Sequence, residues 1–363
     1  MILNKSNYFK VLGVCKIVDG ISRSIIIDTQ NFNYFVVPKD LIILLRKFDG
    51  KRICNVLDYY DLDNYNTVIS YFIFLIKHNL IIQIDNKKIL SMFKESDNYW
   101  CDFSTVQNSV IDLSDKNINY LEKIFIELSN LNCKYLQIRS RFRNMPNTTL
   151  FNLIRLIKSQ DFLFVQLFLE YNIYVKDINF TDLFSSCPSI GEITYYSSPS
   201  RSHSIILNSF VINYISEDFS SECICGLISA KLFAVNLSHF TESLSFNTCL
   251  NRKISIDVNG QIKNCPSMAK CYGNIRDTKL IDVVNDPEFQ KVWHIKKDEI
   301  TKCKDCEFRH ICTDCRAYIE NPNDIYSAPL KCGYNPYTCE WEEWSTNPLK
   351  QQAIDYYGMR EIL

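Results

Sequence analysis

An α/β chain in three parts is the fold class this sequence predicts, and three observations carry the prediction. Residues 1–95 read as a small unit of short strands and helices. Residues 105–245 alternate strand with helix, the pattern of a parallel sheet with crossover connections. Residues 246–345 hold most of the cysteine in spaced pairs, and 346–363 form a tail with no chemical signal. The 363 residues allow two or three domains, and 47% hydrophobic with 22% charged residues excludes a largely disordered chain.

In the first part, extended segments at Tyr8–Val18, Ser24–Asp28 and Phe32–Val37 are separated by turn signals at Asp19-Gly20 and Thr29-Gln30-Asn31. Pro38 suits a first helical position, and the helix it opens runs through Leu45 to a stop at Asp49-Gly50. A short helix over Arg52–Asp58 follows. A longer one begins near Asp63 and aligns Val68, Phe72, Leu75 and Ile76. Leu80–Ile84 closes the unit as a strand. Three strands, three helices and a last strand resemble a winged-helix unit, and specifically the precursor-peptide recognition element of ribosomal peptide maturation systems. The resemblance implies that a leader peptide adds as a strand along Phe32–Val37, with the Asp63–Ile76 helix as the other wall.

The second part starts with a buried-type strand, Ser109–Ser114. Ile118, Leu121, Ile124, Phe125, Leu128 and Leu131 then share one helical face. Strands at Tyr135–Arg139, Phe162–Phe168 and Ile193–Tyr196 and a helix at Thr149–Lys158 complete the alternation. No glycine-rich phosphate fingerprint is present, so a partial (β/α) barrel is expected rather than a dinucleotide-binding unit. Arg139, Arg141 and Arg143 alternate and could form a basic face able to take an anion or acidic peptide, or simply an exposed strand end. His203, between two serines, reads as an exposed loop residue, and Trp341 and Trp344 as one face of a helix in the core.

Cysteine is the one composition value out of line: 16 in all, nine of them from Cys249 to Cys339. In a chain of this size without secretory features such density points to metal more than to disulfides. Lys253–Ile262 reads as a hairpin, with alternating apolar residues around an Asn259-Gly260 turn, which brings Cys249 and Cys265 together across two strands. Cys303, Cys306, Cys312 and Cys315 follow in one run, then Cys332. Two-residue gaps let both thiolates of a pair face one ion or one cluster, as in zinc knuckles and iron–sulfur sites.

The order of a cysteine, Gly260-x4-Cys265, the Cys303-x2-Cys306-x5-Cys312-x2-Cys315 run and Cys332 resembles the SPASM domain, the auxiliary-cluster domain of radical SAM peptide-modifying enzymes. One spacing departs: Cys315 follows after two residues where the family has three. The text around Asn264-Cys265-Pro266-Ser267-Met268, Tyr272-Gly273-Asn274-Ile275 and Cys306–Tyr318 is similar to the SPASM-domain peptide maturase of grasp-with-spasm systems. That resemblance implies two 4Fe–4S clusters, a ribosomal precursor peptide and an ATP-grasp ligase as partner. It assigns Cys303, Cys306, Cys312 and Cys332 to one cluster, and Cys249, Cys265 and Cys315 to part of the other. In the full family the missing ligand lies a few residues before the first cysteine, where Ser243 and its neighbours offer no thiol. Cys225, Cys271 or an open iron are the alternatives. Zinc in the same thiols, with His294 or His310 substituting, is the competing reading, that of a non-redox scaffold. Cys15, Cys54, Cys101, Cys133, Cys187 and Cys339 read as buried small hydrophobes.

A radical SAM enzyme needs Cys-x3-Cys-x2-Cys after its first barrel strand; here Asp115-Lys116-Asn117-Ile118 follows, and no cysteine lies between Cys101 and Cys133. The Gly-Gly-Glu-Pro-like turn after the second strand is replaced by Ser140-Arg141-Phe142-Arg143-Asn144. The expected barrel is therefore degenerate, without its cluster motif, and S-adenosylmethionine is not expected as a cofactor. Neither a Gly-x-Ser-x-Gly elbow nor a His-Glu-x-x-His helix occurs, so the catalytic residues stay unknown. Basic and acidic residues balance at 40 and 41, giving no electrostatic reason for a nucleic-acid or membrane partner. The longest apolar run, Val68–Ile76, is too short to span a bilayer, and Met1–Asn7 lacks a signal-peptide pattern, so a cytoplasmic chain is expected.

Overall fold

The computed structural model describes residues 3–93, 99–143, 145–171, 186–199, 202–207, 210–217 and 225–360. Its N-terminal elements are β1 (Tyr8–Val11), β2 (Cys15–Asp19), β3 (Ser24–Asp28), β4 (Asn33–Val37), α1 (Lys39–Phe48), α2 (Ile53–Leu57), α3 (Leu62–Lys77), β5 (Ile81–Ile84) and α4 (Lys87–Leu90). The single strand expected over Tyr8–Val18 is two. A tight turn, with the Cys15 N–H donating to Leu12 C=O, sends β1 to pair antiparallel with β5 and β2 with β3. Pro38 stands just before α1 in extended geometry, as its cap rather than its first residue. Asp61 caps α3, its carboxylate accepting from the Asn64 N–H at 3.1 Å. Phe9 meets Phe72 edge-to-face at 5.0 Å in a core shared by β1, β3, α1 and α3.

The middle of the chain supplies β6 (Asn108–Leu113), α5 (Leu121–Asn130), β7 (Tyr135–Ser140), α6 (Asn147–Lys158), β8 (Phe164–Glu170), β9 (Ile190–Tyr196), β10 (His203–Ile206) and β11 (Val211–Tyr214). Leu121, Ile124, Phe125 and Leu128 of α5 and Leu150, Leu153, Ile154 and Ile157 of α6 are the buried stripes that cover the sheet. After α7 (Leu237–Ser243) come β12 (Lys253–Ile256) and β13 (Ile262–Lys263), the expected hairpin. It does not stand apart: β12 lies parallel to β6, with Ile256 opposite Ile111, so one sheet runs β10-β11-β9-β8-β7-β6-β12-β13. It is parallel from β11 to β12 and antiparallel at both edges. The sheet thus crosses from segment 105–245 into segment 246–345, because Ile254, Ser255 and Ile256 are all buried and extend its core.

Three local expectations are corrected. His203 belongs to an edge strand, its ring stacked on Tyr214 at 4.7 Å, rather than to a loop. Trp341 lies not on a helix but on a two-residue strand, β15 (Glu340–Trp341), opposite Tyr334 of β14 (Tyr334–Asn335), and is partly exposed. Cys101 is exposed, and Cys54 and Cys339 are half-buried, whereas Cys15, Cys133 and Cys187 are buried. Among the described residues no helix is long and apolar enough to cross a membrane.

Candidate iron–sulfur centre

The turn after α7 presents Cys249. Asn247, almost fully buried, accepts from the N–H groups of Cys249 (3.0 Å) and Leu250 (2.9 Å) through its side-chain oxygen. Its amide nitrogen donates to Asp314 at 2.5 Å and to the Ile295 carbonyl at 3.2 Å. One side chain thus ties the Cys249 turn to the residue before Cys315. Cys265 lies two residues beyond the end of β13, placed by the hairpin. Cys225 arrives from a third segment, where Ile228 bridges to Cys332 and Lys331 Nζ donates to the Cys225 carbonyl at 3.0 Å. Next to it Gly226 has φ +88°, and a Cβ there would stand 2.9 Å from Cys315 Sγ. Only glycine lets these two segments approach so closely.

These four thiols act on one another. Burial first, then Cys225 and Cys249, push the Cys265 thiol up to about 11. Burial followed by Cys249, Cys225 and Cys265 raises Cys315, and Cys249 is raised by burial with Cys225 contributing after the opposing effect of Lys253. All four line a single cavity of ≈ 310 Å³. Its one acidic residue, Asp314, is neutralised by Arg316 at 2.8 Å. The other donors at its wall include the hydroxyls of Ser229, Ser267 and Thr313 and the thiol of Cys312, so soft thiols, the ligands that iron–sulfur clusters take, dominate the lining. Cys271 is not among them: it is exposed, and its thiol bonds the Gly273 backbone.

A second set lies across the Cys312–Cys315 run. Burial pushes Cys303 up to about 12; Lys297 opposes, and Asp314, Cys332 and Cys312 add to the rise. Cys306 is raised by burial, with Glu307, Cys303 and Cys312 adding, and Cys312 by burial with Cys332 adding. A 3-10 turn holds the first pair, the Cys306 N–H donating to Cys303 C=O at 3.0 Å, and Lys350 Nζ holds the Cys332 carbonyl at 2.6 Å. Each set has its own lysine. Lys253 Nζ lies 3.6 Å from Cys249 Sγ, and Lys297 Nζ 3.1 Å from Cys312 Sγ. Although burial works against its charge, the Cys312 and Cys303 thiols hold the Lys297 ammonium well above its ordinary range. Among the described residues, no three His, Cys, Asp or Glu side chains gather round one point as a single-ion site requires. His294 is exposed, and His310 bonds Ser243 through Nδ1 at 2.9 Å.

Beside the first set stand the sheet ends where the expected basic face was placed, and that expectation is corrected. Asp112 on β6 is fully buried and takes Arg139 in a fork, 2.6 and 2.8 Å, with Arg141 at 3.4 Å. β7 ends at Ser140, so Arg141 lies beyond the strand, and of the three only Arg143 is exposed. A buried carboxylate between two guanidiniums explains why the row is not free for an external anion. Sequence reasoning missed Asp112 as their partner; a charged residue inside an otherwise apolar strand was the available signal. The loop after β6 is closed by Asn117, which accepts from the Ser114 N–H at 2.9 Å and donates to the carbonyls of Asp112 (2.8 Å) and Asp257 (2.9 Å). Ser114 Oγ donates to the Val258 carbonyl at 2.6 Å.

Residues 248–307 match the SPASM family, an iron–sulfur cluster-binding domain. An AdoMet-dependent heme synthase of Oleidesulfovibrio alaskensis is 28% identical over 79 residues, 21% of this chain. The chain spans about a fifth (20%) of the length of that curated relative. Among solved structures, Streptococcus suis SuiB bound to S-adenosylmethionine aligns over 91% of this chain and 99% of its own, at 12% identity and a TM-score of 0.30. SuiB bound to its precursor peptide SuiA aligns over 85% and 96%, at 11% identity and a TM-score of 0.30.

Proposed function

We propose that this chain is a two-cluster component of ribosomal peptide maturation, of the grasp-with-spasm type, working on a precursor peptide with an ATP-grasp ligase. The observation that carries the reading is the gathering of eight cysteines into two sets, Cys225, Cys249, Cys265 and Cys315 around one cavity and Cys303, Cys306, Cys312 and Cys332 linked through Cys303 and Cys312, within and around the segment that matches an iron–sulfur domain. Cys225, Cys249, Cys265 and Cys315 hold one 4Fe–4S cluster, and Cys303, Cys306, Cys312 and Cys332 the other. Such clusters supply one-electron chemistry when bound. The chain's own residues fix the thiols: Asn247 orients Cys249, Gly226 admits Cys315, and the 3-10 turn sets Cys303 against Cys306.

Residues 1–95 take the leader, residues 105–245 form the degenerate barrel, and residues 246–345 carry the clusters. The leader adds along β4, whose partner on one side is β3 and which stands at the edge of its sheet. S-adenosylmethionine is not part of this reading, because Ser114–Asn117 offers hydroxyl and amide groups bound into the sheet where thiolates would be needed. Anaerobic reconstitution of the full chain tests the proposal. Iron and acid-labile sulfide for two 4Fe–4S clusters are expected, with no 5′-deoxyadenosine formed from S-adenosylmethionine and a strong reductant. Saturation with zinc and no sulfide would replace the reading with that of a zinc-stabilised scaffold.

A further inference from the structure

Lys297 is only 6% exposed, and its hydrogen-bond partner among the described residues is the Cys312 thiol at 3.1 Å. Lys253, at the start of β12, reaches Cys249 Sγ at 3.6 Å. Among the described residues neither ammonium has a carboxylate within ion-pair distance, although seven other lysines do. A lysine enclosed by protein without an acid is costly unless something nearby carries negative charge. What acts on each is a different group of thiols, Cys312 and Cys303 at Lys297 and Cys249, Cys265 and Cys225 at Lys253, with the Asp314 carboxylate a further and weaker influence on Lys297 and Glu242 an acid near Lys253.

We propose that Lys253 and Lys297 are positioning residues that each neutralise sulfur charge in their own set and raise the reduction potential of the cluster held there. This rests on the iron–sulfur reading above. Reduction adds an electron to a cluster already surrounded by thiolates. A fixed positive charge in a weakly polarisable surrounding, with an N–H···S hydrogen bond, stabilises the reduced form more than the oxidised one. The shorter contact belongs to Lys297, whereas the Lys253 set also has Arg139 close by and an exposed Cys225. Removing Lys297 therefore has the larger effect.

The test is a redox titration of the reconstituted full chain followed by electron paramagnetic resonance, with iron and sulfide measured on every sample. Lys253→Gln and Lys297→Gln are compared with the charge-keeping Lys253→Arg and Lys297→Arg. Lys297→Gln is expected to lower the potential of the cluster that Cys306→Ala abolishes, and Lys253→Gln, by less, that of the cluster abolished by Cys265→Ala. The arginine forms move back toward the wild-type potentials. Cluster loss in a glutamine form but not in its arginine form supports the same role. Unshifted potentials at full iron content overturn it, as do equal losses in glutamine and arginine forms or one substitution shifting both clusters alike. A wild-type chain that takes up no iron and sulfide overturns the iron–sulfur reading itself, a result distinct from loaded clusters with unshifted potentials.

Discussion

At Gly226 the backbone is left-handed and the Cys315 sulfur fills the place of a side chain. Gly226→Ala adds strain of about 1 kcal/mol from backbone conformation alone and pushes a methyl into the thiol. The expected outcome is loss of the iron and sulfide of the Cys225–Cys315 set with the Cys303 set intact, read by iron analysis against the Cys265→Ala variant. Glu242 tests a different property of the same region. It is 9% exposed, accepts from Asn251 at 2.8 Å, and burial pushes its carboxyl up to about 7, with Asn251 opposing and Asp102 adding. The folded state therefore binds a proton that the unfolded state releases near the ordinary glutamate value. Between about pH 4.5 and pH 7 stability falls as pH rises, by roughly 3 kcal/mol from this group. Glu242→Gln should raise the unfolding midpoint at pH 8 and leave it nearly unchanged at pH 4, as thermal melts of the metal-free chain would read.

At the scale of elements, the proposed leader site has β4 and α3 as its two walls. Phe35 of β4 packs edge-on against Phe74 at 5.7 Å, and Ile73 of α3 is exposed beside it in sequence. If a leader strand adds to β4 and is also gripped by α3, the exposed Ile73 is the apolar α3 residue to test as its contact. Ile73→Asp should weaken leader binding to the full chain about tenfold, the cost of one lost apolar contact of ~1.4 kcal/mol, while the melting midpoint stays put. Unchanged affinity in a fluorescence binding titration would remove α3 from the recognition surface. The β12–β13 hairpin shows how an element acquires a second role. Its turn, with Gly260 at φ +76°, carries the Cys265 strand back along β12, and the same β12 continues the large sheet beside β6.

Across the whole molecule, the N-terminal unit and the second thiol set are one structure. The β2–β3 turn lies on the loop that carries Cys306: the Ile21 N–H donates to the Asp305 carbonyl at 2.7 Å, and Arg23 Nε to the fully buried Glu307 at 2.6 Å. Tyr334 donates to the same Glu307 oxygen at 2.6 Å. Val18, Ile25 and Ile27 share a core with Phe308, Ile311 and Cys312. Arg23→Ala leaves a buried carboxylate with one donor fewer; since Arg23 is itself about a third exposed, a discounted loss of about 1–2 kcal/mol is expected. The measurable consequence is that the cluster of the Cys303 set becomes the more readily lost on mild chelation, although the substitution lies some 280 residues away in sequence, as the separation of 284 between Arg23 and Glu307 shows.

The sequence by itself determined the local elements. A buried-type apolar run marked β6, a shared apolar face marked α3 and α5, and Asn259-Gly260 marked the hairpin, because these signals depend on neighbours a few residues apart. Cysteine spacing also showed which short pairs could face one site. Only the tertiary structure decided which distant segments meet. The sequence left Cys225, Cys271 and an open position as alternatives beside Cys249, Cys265 and Cys315, and the fold brings in Cys225 through Gly226 and Lys331. A row of arginines read as a basic face because their acid, Asp112, belongs to the neighbouring strand 27 residues earlier. The two lysines at the sulfurs and the β2–β3 turn seated on the Cys306 loop were equally invisible. Hydrogen bonds and charge pairs of this kind are set by the packing of layers, and no periodicity along the chain encodes which face of one layer a residue in another will reach.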